Sequence, residues 1–140
     1  MIQFFNQDTP FSIENEQEIS SWILSTFHKE SITKEIELSI IFCNDDALLE
    51  INKQFLNHDY YTDIITFPIE ETNTVFEAEL YISIDRVKEN AQDLSKPFQN
   101  ELNRVIIHGV LHLCGYGDKT PEEIKIMRLK EDFYIKLTSK

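Results

Sequence analysis

The 140-residue chain reads as a single domain of the α+β class, and three observations predict this. Apolar residues alternate over 35–43 and again over 76–83, with the period of a strand. They recur at helical spacing over 15–29 and 98–113. No linker, repeat or low-complexity tract divides the chain, so 1–140 is expected to fold as one unit. A chain of this length can bury a self-sufficient core, and 41% apolar residues with ten Phe and five Tyr make an ordinary globular composition.

The elements follow in order. Residues 2–5 form a short apolar strand candidate. In 15–29, Ile19, Trp22, Ile23 and Phe27 share one helix face, with Asn15 as a plausible N-cap. In 35–43, Ile36, Leu38 and Ile40 alternate with Glu35, Glu37 and Ser39, as in a half-buried strand. Asn44 or Asp45 caps a second helix running to about Phe55, with Leu48, Leu49 and Ile51 inward. Ile64-Ile65-Thr66-Phe67 is a β-rich run that Pro68 should end, and 76–83 supplies the fourth strand. A short helix is expected from Asp85 to about Leu94. The helix over 98–113 is apolar on much of its circumference and should be buried on more than one side. Thr120-Pro121-Glu122-Glu123 gives the last helix an N-cap, a Pro at its first position and a capping-box Glu.

Composition removes several functional classes. No apolar run approaches the roughly 20 residues that span a bilayer. The start, Met1-Ile2-Gln3-Phe4-Phe5-Asn6, has neither a basic region nor an apolar region followed by small residues, so no signal peptide is expected. Two cysteines, Cys43 and Cys114, do not make a disulfide framework, and the expected compartment is the cytoplasm with both thiols reduced. A net charge of −12 gives no bulk attraction to nucleic acid. The charge is uneven: Lys119, Lys125, Arg128, Lys130, Lys136 and Lys140 fall in the last segment, whereas the acidic excess lies earlier. Solvated helix faces are the reading preferred over a binding stripe.

The chemistry concentrates in one place. All three glycines and two of the four histidines lie between His108 and Asp118. His108 and His112, four apart on a helix, place their imidazoles on one face within reach of one metal ion. Gly115 and Gly117 can turn the chain back, and Asp118 is the first residue past the turn able to serve as a third ligand. Cys114, two beyond His112, points away and should pack. Two imidazoles and a carboxylate suit zinc first and other divalent transition metals second. Three protein ligands leave a position for water that the ion makes acidic, able to attack a carbonyl or a phosphorus. In H-E-x-x-H proteases a Glu follows the first His. Here Gly109 follows it, which disfavours peptide hydrolysis and suggests close approach of another element or of substrate.

The stretch resembles the YbeY family of metal-dependent rRNA-maturation endoribonucleases, whose signature is H-G-x-L-H-L-x-G-Y-D-H. His108, Gly109, Leu111, His112, Leu113, Gly115 and Tyr116 match it. Asn52, Asp59 and Thr62-Asp63-Ile64-Ile65-Thr66-Phe67-Pro68 look like a second family block, N…D-x-x-T-[DN]-V-L-S-F-P. Three departures stand out. Asp118 takes the place of the family's third His, with Gly117 where an Asp precedes it. Leu56 stands where the family carries an Arg thought to contact phosphate. Ala78-Glu79-Leu80 replaces a G-D-I segment.

The resemblance implies a mixed four-stranded sheet packed with about five helices, the metal site lying at the end of a central helix beside a cleft. It implies an endonuclease, a hydrolase acting in rRNA 3′-end maturation and ribosome quality control, with rRNA and a ribosomal subunit as partners. His108, His112 and Asp118 would hold the ion. His58, Asp63 or Glu79 would assist proton transfer, and Thr62 and Asp63 would contact substrate. Two other readings stay open: a metal-dependent hydrolase of another substrate, and a non-catalytic ribosome-assembly factor with a structural metal.

Overall fold

The computed structural model describes residues 1–138; Lys140 of the basic segment lies outside them. The order is β1 (Ile2–Asn6), α1 (Glu16–Lys29), β2 (Glu35–Cys43), α2 (Asp45–Leu56), β3 (Ile64–Glu71), β4 (Val75–Ser83), α3 (Ile84–Asp93), α4 (Phe98–Leu113) and α5 (Pro121–Lys136). The four strands form one mixed sheet in the order β1-β2-β4-β3. β1 and β4 run parallel to β2, and β3 runs antiparallel to β4.

The alternation expected for β2 holds as far as Ile40 and then stops, because Ile41, Phe42 and Cys43 are all buried. There the sheet is covered on both faces. Ile36, Leu38, Ile40 and Phe42 join Phe76, Ala78, Leu80 and Ile82 of β4 in the main core with α1 and α4. Cys43 and Ile65 pack instead with Leu48 of α2 in a smaller cluster. Leu49 and Ile51 are only half-buried, and the other inward residue of α2 is Asn52. A strand covered on both sides loses its period-two signal.

Pro68 does not end β3, which continues to Glu71 with a register break between Pro68 and Glu70. β3 lies at the sheet edge, where a missing N–H leaves no ladder bond unmade. Helix α3 opens one residue earlier than Asp85, because the Ser83 hydroxyl accepts from the Arg86 N–H at 3.2 Å. Asn15 stands at the N-cap of α1 without a capping side-chain bond. The capping box of α5 is complete: Thr120 Oγ1 accepts from Glu123 N–H and Glu123 Oε1 accepts from Thr120 N–H.

α4 is the central helix, with Leu102, Ile106, Ile107, Val110 and Leu111 fully buried. Gly109 explains how it lies so close to the sheet. A Cβ there would meet Ile64 Cδ1 at 2.5 Å and Leu80 Cδ2 at 3.1 Å. The close approach is that of the sheet, not of substrate.

At the C-terminal end of α4, Glu30 joins α1 to the C-terminal part. It accepts from Tyr116 Oη at 2.6 Å, from Lys130 Nζ at 3.2 Å, and from Tyr134 Oη. Burial by itself would raise the Glu30 carboxyl, but these donors outweigh it and hold the pKa below the ordinary 4.5. A depressed carboxylate adds stability above its unfolded pKa, and that stability is lost as pH falls through the folded value. Glu30→Gln should therefore lose about 1–3 kcal/mol at pH 7. Denaturant titrations at several pH values should show the gap to the parent protein closing below the unfolded pKa.

Candidate metal centre

His108 and His112 occupy the last two turns of α4, and the chain leaves the helix through Gly115. Its φ of +107° lies in the left-handed region that favours glycine. Gly117 then passes tightly against the capping residue, since a Cβ there would lie 2.5 Å from Glu123 Oε2. The turn returns Asp118 to the two rings.

The ring nitrogens divide cleanly by task. His112 Nδ1 lies 2.8 Å from the Tyr116 carbonyl oxygen, which can only accept, so Nδ1 carries the hydrogen. His108 Nδ1 lies 2.6 Å from Glu131 Oε2. Glu131 is fully buried, and its other oxygen takes Arg104 at 2.7 Å and Arg128 at 2.8 Å. Burial would raise this carboxyl, but His108 and the two guanidiniums prevail and keep it ionised. His108 Nδ1–H therefore donates as well.

With both rings neutral, as a metal requires, the two Nε2 atoms are left as acceptors. They lie 2.9 Å apart, and Asp118 Oδ2 lies 3.2 Å from each. Three lone-pair donors facing one point repel unless a cation joins them, so the donor set fits a divalent metal. Among the described residues this is the converging His, Cys, Asp and Glu set that could hold an ion. Burial would lower the His108 pKa, but Glu131, Asp118 and Asp63 hold it above the ordinary 6.5. The same negative field attracts a cation. Cys114 is outside the set; burial pushes its thiol up to about 12, as it does for Cys43.

A cleft of about 320 Å³ adjoins the three donors and is lined also by Asn52, Leu56, His58, Tyr60, Thr62 and Asp63. His58 stacks on Tyr60, with Nδ1 3.1 Å from its hydroxyl. Asn52 shapes this wall: its side-chain Nδ2 donates to Tyr60 O at 2.9 Å and its main-chain oxygen accepts from His58 N–H at 3.1 Å. Thr62 turns its hydroxyl to Ile64 O at 3.4 Å. Asp63 is pushed up by burial, although the His108 charge opposes this.

Glu79 is not brought to the cleft, which corrects its place among the proton-transfer candidates. Alternation along β4 puts Leu80 against Gly109 and turns Glu79 to the opposite face, where Tyr81 Oη donates to it at 3.3 Å. The residue that sequence reasoning missed is Glu131. Its signal was present: Met127, Glu131 and Tyr134 share the buried face of α5, and a carboxylate on such a face needs a partner.

The family model described as Endoribonuclease YbeY matches residues 1–138. The chain belongs to the YbeY family. It is 48% identical to Endoribonuclease YbeY of Cytophaga hutchinsonii, over 97% of this chain and 94% of the relative. Against Endoribonuclease YbeY of Flavobacterium psychrophilum it is 47% identical, over 95% and 94%. The solution structure of TM1509 from Thermotoga maritima superposes with a TM-score of 0.67 at 27% identity, covering 99% of this chain and 89% of that one. This similar structure agrees with the mixed four-stranded sheet and five helices of one domain. Three variants test the YbeY-type donor set in this chain. Glu131→Gln should weaken zinc binding about 10–100-fold in a competitive chelator titration. Asp118→Ala should bind still more weakly, while Asp118→His should recover the affinity.

Proposed function

We propose that the chain is a metal-dependent endoribonuclease that cuts single-stranded RNA in rRNA 3′-end maturation and ribosome quality control. Its substrate would be rRNA on a ribosomal subunit, met in the cytoplasm. The observation that carries this reading is the convergence of His108 Nε2, His112 Nε2 and Asp118 Oδ2 beside an open cleft. Membership of the YbeY family supports the choice of RNA over another ester. Zinc is the proposed ion, with Asp118 in the role of the family's third His. A carboxylate ligand lowers the net charge of the site and brings manganese or iron within range.

When bound, the ion supplies Lewis acidity at the scissile phosphate. The chain's own residues do the rest. Glu131 and the Tyr116 carbonyl keep both rings aimed. Asp63, beside His108 and held above the usual carboxylate range by burial, is placed to receive and return a proton. Leu56 offers no charge where the family has an Arg. Among the described residues lining the cleft, His58 is the one basic side chain besides the two ligands, and it takes the role of meeting a phosphate oxygen. Thr62 lines the path of the strand beside it.

The missing cationic side chain favours one second reading, a non-catalytic assembly factor whose ion ties α4 to the loop before α5. Cleavage of a single-stranded rRNA precursor by the zinc-loaded protein separates the two. His108→Ala should lower the rate by roughly 100-fold or more, since it removes a ligand outright. Equal, background-level cutting by both proteins would defeat the nuclease reading. His58→Ala should raise KM more than it lowers kcat if it binds phosphate in substrate and transition state alike.

A further inference from the structure

A second cavity, of about 360 Å³, shares Asp63, Ile64 and His108 with the metal-side cleft. Its hydrogen-bonding groups are unbalanced. Glu101 of α4 lines it and is only 6% exposed, yet its carboxylate has no hydrogen-bond partner among the described residues. Asp63 takes a long 3.4 Å contact from Asn90 Nδ2 and is otherwise met by the backbone N–H groups of Asp63 and Ile64. Burial and the neighbouring Asp63 push the Glu101 carboxyl up, against the opposing charges of Arg104, Lys96 and Arg128.

The nearby guanidiniums give Glu101 no hydrogen bond. Arg104 spends both terminal nitrogens on Glu131 and Asp132, each at 2.7 Å. Arg128 gives one nitrogen to Glu131 and is otherwise 61% exposed at the rim. The cavity therefore offers the buried Glu101 carboxylate, the half-buried acid Asp63, apolar flanks from Ile64, Leu94 and Val105, and a cation at its mouth. A metal ion would need three converging donors, and among the described residues His108, His112 and Asp118 supply the set that meets this condition. A flat, donor-rich heterocycle attached to a phosphate fits better.

We propose that this cavity binds one unpaired guanine of the RNA beside the cleaved phosphodiester. Its N1–H and amino group donate to the two oxygens of the Glu101 carboxylate, and Arg128 meets the adjoining phosphate. The choice of ligand rests on the RNA-cleaving reading of the neighbouring site. Guanine alone among the four bases presents two adjacent N–H donors to a carboxylate. Adenine and cytosine set an acceptor nitrogen beside their amino group, and uracil flanks its N–H with two carbonyls, so each turns lone pairs toward a buried acid.

The test titrates GMP, AMP, CMP and UMP into the zinc-loaded protein, following backbone amides by NMR. GMP should bind about tenfold or more tightly than the others, with shifts centred on 90–94 and 101–105. Glu101→Gln should erase the preference, and Glu101→Asp should weaken it while keeping the charge. Equal affinity for the four nucleotides, shifts confined to other faces, or an unchanged preference in both variants would overturn the proposal. A second equivalent of Mn²⁺ bound through Glu101 would overturn it too, in favour of a cation site. Selective GMP binding by a protein that cuts no RNA would leave the cavity standing and remove the nuclease reading. RNA cleavage with no guanine preference in either assay would remove the cavity assignment alone.

Discussion

The contact on which the rest of the molecule depends is the one between His108 and Glu131. A fully buried carboxylate is costly unless charge and hydrogen bonds repay its lost hydration. Here an imidazole and two guanidiniums converge on it from α4 and from its own helix. The packing of α5 on α4 and the aim of the His108 ring are thus one interaction. α5 cannot dock elsewhere without leaving Glu131 unpaired, and His108 cannot rotate without losing the bond that sets its tautomer. The fold and the donor set are specified together.

The remaining geometry follows from how near α4 comes to the sheet. Gly109 removes the one side chain that would hold the helix off Ile64 and Leu80, and this places the histidines beside the start of β3, where Thr62 and Asp63 lie. At the helix end, Gly115 reverses the chain and the Thr120 capping box anchors it again, so the loop carrying Asp118 has little freedom. On the far wall, Asn52 binds the backbone of Tyr60 and His58. Each side of the cleft is set by a local rule of backbone chemistry.

Those local rules are why so much was legible in the sequence. The H-x3-H spacing, the glycines and the capping box are short-range patterns with direct geometric meaning, and the structure places His108, His112 and Asp118 together as they suggest. The elements read correctly where one face is buried. Reading failed where tertiary context decided the matter: Pro68 inside an edge strand, the doubly covered end of β2, and Ser83 capping α3 ahead of Asp85. Glu79 failed for a related reason. An acid near the right motif says nothing about which side of the sheet it faces until the register is known. Glu131 was hidden because its partner lies 23 residues away on another helix. A buried acid on an otherwise apolar helix face was its only trace.

Because Glu131 belongs to α5 and Asp118 to the loop entering it, the site cannot open piecemeal. A local detachment of α5 withdraws the support of His108 and frees Asp118 in the same event. Metal exchange and helix detachment are therefore linked equilibria: an ion held by the three donors raises the free energy of that opening by mass action. Amide hydrogens along α5 report on the occupancy of a site whose histidines lie on a different helix.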